Sequence, residues 1–251
     1  MHLDTDQVAS YLEDGLLVVP GPAWLDSHEI QALIDEVDAI QVWPEQLGRH
    51  MMYWDELPIG KRLNRIENFF PYAEYLQGLF ASNRLGRAVQ QLAGEPVCLF
   101  KDKINFKQPG GEGFLPHQDA QAGWDRYGHT RHISVAIAID RSTEENGCLE
   151  FVRSMHTKGL LGPLGEQLPS NEVKAWTWVP ILAASGDVIF FDSYTPHRSG
   201  PNRSARQRRL AYLTYNLVAE GDFRRRYYED KRLSFPPNLE RRVGTHYTYN
   251  I

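Results

Sequence analysis

Pro116-His117-Gln118-Asp119 and, much later in the chain, Thr195-Pro196-His197-Arg198-Ser199-Gly200 are the two stretches from which the rest of the sequence is best understood. In an extended strand, residues two apart share a face, so His117 and Asp119 project together and Gln118 points away. A neutral imidazole and a carboxylate side by side are two ligands of a 2-His-1-carboxylate triad, which binds non-haem Fe(II) and leaves other metal positions open. His197 supplies the third ligand. It lies far enough downstream to come from a different strand folded back beside the first. Eleven residues beyond it stands Arg208, a permanent cation suited to a bidentate grip on a carboxylate.

Around these stretches the texture is β. Strands are expected near 97–107, 114–119, 132–139, 148–152, 173–180, 188–192 and 208–218. The first third reads differently. A short helix over 4–14 stops at Gly15, and 16–19 is a buried strand. Asp26-Ser27-His28-Glu29 has the form of a capping box, and the helix it opens carries Ile30, Leu33, Ile34, Val37 and Ile40 at helical spacing. Ser82 caps a further helix with Leu85, Ala88, Val89 and Leu92 inward, and 62–70 is a candidate strand. Between them, 43–60 lacks a clear period and is broken by Pro44, Pro58 and Gly60, which fits either a lid or a surface loop. Helices followed by many strands imply an α+β chain whose catalytic part is a double-stranded β-helix, the cupin-like jelly roll. No repeat or linker divides the sequence, so 1–251 is expected to form one domain: a helical part over about 1–95, the jelly roll over about 96–220 and a tail over 221–251 packing back on it.

Composition narrows the function classes. A net charge of -5 gives no reason to expect nucleic acid or an anionic membrane, and Arg224-Arg225-Arg226 reads as a solvated basic face. Two cysteines, Cys98 and Cys148, argue against a disulfide framework and for a reducing compartment. No leader and no membrane-spanning apolar run is visible, so a cytoplasmic location is expected, with no obligate protein partner. Among the other histidines, His132 and His156 read as structural, and His50, His129 and His246 lack ligand spacing.

The ordered set of His117-x-Asp119, His197-x-Ser199-Gly200 and Arg208 resembles the phytanoyl-CoA dioxygenase family of Fe(II)/2-oxoglutarate oxygenases. Lys103-Ile104-Asn105-Phe106-Lys107, Glu145-Asn146-Gly147-Cys148-Leu149 and Gly186-Asp187-Val188-Ile189-Phe190-Phe191 extend the likeness over about 101–215. Within the family, bacterial phosphonate dioxygenases of the 2-aminoethylphosphonate type and ectoine hydroxylase are similar. The resemblance implies Fe(II) on His117, Asp119 and His197, with 2-oxoglutarate and O2 as co-substrates. It implies Arg208 for the far carboxylate of 2-oxoglutarate, Ser199 as a hydroxyl assisting that arginine, and Asn105 and Gln118 near the co-substrate. Arg209 would face the other way on a strand, so one of the two arginines serves and the family pattern favours Arg208. Related halogenases replace the carboxylate with a small residue, so Asp119 favours hydroxylation.

For the substrate, Gln121, Trp124 and Asp125 follow the ligand pair and are expected at the pocket mouth. An aromatic face beside a carboxylate suits an ammonium group. Lys101, Lys103 and Lys107, which alternation puts on one face with Asn105, suit an anionic group instead. The expectation is a dioxygenase that hydroxylates an unactivated C–H bond of a small polar or zwitterionic molecule: an amino acid, a betaine-like compound or an aminophosphonate. Desaturation, cyclisation or epimerisation by the same oxidant is an alternative, as is a catalytically silent jelly roll that binds a ligand.

Overall fold

Local signals near the N-terminus give the elements they should. In α1 (Thr5–Asp14), the Asp4 carboxylate accepts from Gln7 N at 2.8 Å while Gln7 Oε1 accepts from Asp4 N at 3.0 Å, a reciprocal cap. Asp26 and Glu29 cap α2 (Ser27–Gln41) in the same way. Two shorter helices follow, α3 (Glu74–Ala81) and α4 (Arg84–Ala93), the second burying Leu85, Ala88, Val89 and Leu92. This computed structural model describes residues 1–57, 60–81, 84–128 and 132–247; Pro58, the expected cap at Ser82, and His129 lie outside the described residues.

The strands are β1 (Leu16–Val19), β2 (Met51–Leu57), β3 (Gly60–Glu67), β4 (Val97–Lys107), β5 (Phe114–His117), β6 (Ile133–Ala138), β7 (Leu149–Phe151), β8 (Val179–Ile181), β9 (Val188–Asp192), β10 (His197–Ser199) and β11 (Arg208–Leu217). They form a larger antiparallel sheet in the order β1-β9-β6-β11-β4-β3-β2 and a smaller one in the order β5-β10-β7-β8, packed as a jelly roll. Both faces of the larger sheet are covered, so its central strands are apolar on both sides. Ile133, Val135 and Ile137 of β6 and Val188 and Phe190 of β9 pack towards the helices. Ala136, Ala138, Ile189 and Phe191 instead meet Leu149, Phe151 and Ile181 of the smaller sheet.

Strand β4 departs from this. Ile104 and Phe106 join the helix-side core, and alternation leaves Lys101, Lys103, Asn105 and Lys107 on the inner face, where Lys101, Asn105 and Lys107 are buried. The jelly roll is thus apolar at one end of its interior and charged at the other. That asymmetry locates the site.

Three expectations are corrected. Part of the segment 43–60 is not loop, because Met51–Leu57 is the edge strand paired with β3. Its period is hidden because Met52 faces the helix-side core while Met51 and Tyr53 are buried against the C-terminal tail. The expected strand over 173–180 is instead a helical turn, α5 (Ser170–Val173), followed by β8. The basic run opens α6 (Arg224–Ser234), where Arg225 and Arg226 are solvated but Arg224 pairs with the buried Asp102. Tyr228 Oη accepts from Asp102 N at 2.9 Å and donates to Asp102 O at 2.8 Å, fixing α6 on β4.

Candidate active site

The antiparallel register of β5 and β10 sets His197 opposite His117, with ring centroids 4.2 Å apart. Strand β5 ends at His117, and Asp119 opens a 3₁₀ turn. Gln118 remains extended (φ -112°, ψ 135°), so the alternation still carries Asp119 to the side of His117. One ligand atom from each of His117, Asp119 and His197 lies within 4.8 Å of the others, and all three residues are buried.

The imidazoles are prepared as ligands. His117 Nδ1 lies 2.7 Å from Leu115 O and His197 Nδ1 3.1 Å from Thr195 O. A carbonyl only accepts, so each Nδ1 holds the hydrogen and each Nε2 keeps its lone pair for the centre. Burial holds both imidazoles below the ordinary histidine range and therefore neutral. Burial works against the Asp119 carboxylate, but the Lys103 and Lys101 ammonium groups act the other way and favour the ionised carboxyl. Asp119 Oδ2 also accepts from Ser134 Oγ at 3.0 Å, and Ser134 is held in turn by Thr214 at 3.1 Å.

A cavity of about 240 Å³ opens on this triad and is lined also by Lys103, Asn105, Phe114, Tyr212, Gln167 and Arg198. Four residues before Tyr212, on the same face of β11, Arg208 is buried at 1% exposure. Its Nη2 donates to Gly147 O at 2.9 Å and the guanidinium neighbours the Tyr212 hydroxyl, while Nε and Nη1 complete no well-aligned hydrogen bond among the described residues. Beside it Lys107 donates to Ser199 Oγ at 2.7 Å, Gly200 O at 2.5 Å and Gly147 O at 3.4 Å. Burial and the adjacent Arg208 push the Lys107 ammonium down to about 7. Gly147 makes this corner possible: its φ is +73°, and a Cβ there would stand 2.2 Å from Gly200 O. Arg209 faces outward, its Nε and Nη2 on Asp140 at 2.8 Å each and its Nη1 on Asp38.

Several expected site residues are placed elsewhere. Ser199 bonds Lys107, not Arg208. Gln118 points away from the triad; its amide donates to Gly159 O and Tyr194 O and accepts from Leu161 N. Gln121 is fully buried and donates to Pro163 O at 3.0 Å and Glu166 O at 2.9 Å, tying down the loop that carries Gln167. Trp124 is not at the mouth: it is 2% exposed, packed edge-on against Phe100 and beside His132. Asp125 is exposed on the turn that follows. For Gln121, Trp124 and Asp125 the physical reason is the 3₁₀ turn at Asp119, which takes the chain away from the cavity immediately after the last ligand of the pair. Arg65, Glu67 and Tyr212 were not anticipated. Arg65 and Glu67 lie on β3, whose inward face has no meaning until β4 is paired beside it.

The comparisons agree with this geometry. A family model described as phytanoyl-CoA dioxygenase (PhyH) matches residues 11–210. The chain belongs to the phytanoyl-CoA dioxygenase family. It is 40% identical to a methylphosphonate hydroxylase of Gimesia maris over 85% of this chain and 82% of that one. It is 36% identical to a 2-aminoethylphosphonate dioxygenase of an uncultured bacterium (HF130_AEPn_1), over 98% and 94%. Among solved structures, EctD from S. alaskensis with 2-oxoglutarate and 5-hydroxyectoine superposes with a TM-score of 0.73 at 22% identity, over 87% of this chain and 77% of that one. The epimerase SnoN superposes with a TM-score of 0.71 at 19% identity, over 98% and 93%.

The protein is an Fe(II)/2-oxoglutarate dioxygenase. Its residues fit both groups: two neutral imidazoles and an ionised carboxylate converge as an iron site, and the buried Arg208 nitrogens that complete no well-aligned hydrogen bond suit a carboxylate. Together iron and 2-oxoglutarate supply the activation of dioxygen. Ser134 should tune the iron site. Loss of the hydrogen bond that orients a ligating carboxylate typically weakens metal binding by about 10–100-fold. Ser134→Ala is expected to lower iron affinity within that range, read by titrating Fe(II) into apo-protein under anaerobic conditions, with little change in the melting temperature.

Proposed function

We propose that this dioxygenase hydroxylates a C–H bond of a small phosphonate. One observation carries the reading: Lys103, a lysine on an inner strand face, lines a small cavity together with the iron triad. An ammonium in such a place suits an anionic substrate group. The printed activities of the two relatives above, on methylphosphonate and 2-aminoethylphosphonate, support a phosphonate as that group. The volume supports it too. At about 240 Å³ the cavity lies below the 300–1,000 Å³ typical of sites for drug-sized ligands, which suits a small substrate beside 2-oxoglutarate.

In this reading His117, Asp119 and His197 hold the iron. Arg208 receives the far carboxylate of 2-oxoglutarate, with Lys107 as a second cation of the same corner. Ser199 acts through Lys107 by accepting its hydrogen bond. Asn105, whose Oδ1 has no donor among the described residues, and Tyr212 lie between that corner and the triad on the cavity wall. Overall, one oxygen atom of O2 enters the C–H bond of the phosphonate and the other enters succinate, with loss of carbon dioxide from 2-oxoglutarate.

The test is substrate-stimulated succinate release with Fe(II), 2-oxoglutarate and a panel of small phosphonates, proline, ectoine and acyl-CoA thioesters, with product masses recorded. A phosphonate should stimulate release and gain one oxygen atom. Stimulation by an amino acid or a thioester and by no phosphonate would overturn the reading.

A further inference from the structure

The wall behind Lys103 is charged in one sense. The β3–β4 register sets Glu67 opposite Lys103 and Arg65 opposite Asn105. Glu67 is fully buried, yet it is already surrounded: Arg65 Nε lies 2.7 Å from its carboxylate, Lys231 Nζ of α6 3.7 Å, and Lys101 and Lys103 act on it from β4. Arg65, Lys101, Lys103 and Lys231 thus all act on this one buried carboxylate. The other carboxylate in their field is Asp119, which belongs to the iron site. At the mouth, Arg198 takes Glu150 through Nε at 3.1 Å and Nη2 at 2.7 Å, so that acid too is engaged. The aromatic faces are also occupied. Lys101 Nζ sits 4.8 Å from the centre of the Trp124 ring, and Lys103 Nζ 4.6 Å from that of Tyr212. A substrate ammonium entering this cavity would meet cations and find its aromatic seats already filled by the protein's own lysines.

We propose that the pocket discriminates against ammonium: its substrate is a short phosphonate carrying no cationic group, and Lys103 is the residue that receives the phosphonate and sets this preference. Arg65 and Lys101 act behind it as positive charge gathered around Glu67, with Lys231 on the far side of that carboxylate. The inference rests on the phosphonate reading above and deepens it. It reverses the expectation from sequence, where Trp124 and Asp125 together suggested a seat for an ammonium group.

The experiment uses the iron-loaded enzyme with 2-oxoglutarate and compares methylphosphonate, ethylphosphonate and 2-aminoethylphosphonate by kcat/KM for succinate release. Binding of each is also measured calorimetrically without oxygen. Like charges brought together at a binding site disfavour the wrong ligand strongly. The two uncharged-tail phosphonates are therefore expected to exceed the aminophosphonate on the order of a hundredfold. Lys103→Gln should raise Kd for the uncharged-tail compounds and shrink the ratio between them and the aminophosphonate, read both in kcat/KM and in the oxygen-free calorimetry. An unmoved ratio in Lys103→Gln, whatever the change in absolute turnover, would overturn the assignment of Lys103. Equal or better use of 2-aminoethylphosphonate by the wild type would overturn the selectivity while leaving the phosphonate reading intact. No use of any phosphonate would overturn both.

Discussion

His117→Ala keeps the fold and loses substrate-dependent succinate formation by about three orders of magnitude or more. A hydrogen bond merely orienting a ligand is worth about 10–100-fold in affinity or activity, so removal of the ligand itself must exceed that. The fold survives because His117 already borders the cavity. Truncating it enlarges an existing space instead of opening a sealed void in the core, and the sealed void is what makes such changes costly. Asp119→Ala should be equally inactive but less stable, since it strips Lys103 and Lys101 of one of the two carboxylates in their field and leaves Ser134 Oγ without its acceptor. Iron titration, succinate release and thermal melting on the same samples separate these effects. Turnover at the wild-type level in either variant would falsify the triad.

Arg208→Ala raises the KM for 2-oxoglutarate by roughly two to three decades, whereas Arg209→Ala leaves it nearly unchanged and lowers the melting temperature instead. Breaking one side of a buried, hydrogen-bonded charge pair costs about 2–5 kcal/mol, and each 1.4 kcal/mol is tenfold. Arg208 has buried nitrogens that complete no well-aligned hydrogen bond, while Arg209 is already locked between Asp140 and Asp38. The reverse ranking would mean that Arg209 meets the co-substrate.

Lys107 adds a pH signature to the same measurement. Its ammonium is held down to about 7 by burial and by Arg208, and only the charged form attracts a carboxylate. The KM for 2-oxoglutarate should therefore be lowest below pH 7 and rise as pH passes upward through that value. Lys107→Gln should show a raised KM with a flatter profile. An unchanged profile in that variant would exclude Lys107 as the origin of the pH dependence.

The sequence by itself brought out the candidate iron ligands and the β texture of the catalytic part, and for the arginines it said that one of the two serves, with the family resemblance favouring Arg208. Strand alternation fixes the common side of His117 and Asp119, and it separates Arg208 from Arg209 without any knowledge of what lies opposite. The helix caps at Asp4 and Asp26 are likewise local, since donor and acceptor are three residues apart. Only the tertiary structure decided what surrounds the substrate. The period of β2 is invisible in the chain because the helices cover one face and the tail the other, so both read as apolar. Trp124, beside the ligands in sequence, is turned into the core and given to Lys101, and Glu67 acquires its four cations from β3, β4 and α6. Ligand spacing is local, whereas the sign of the field in a cavity is a sum over side chains that meet only after the sheet has closed.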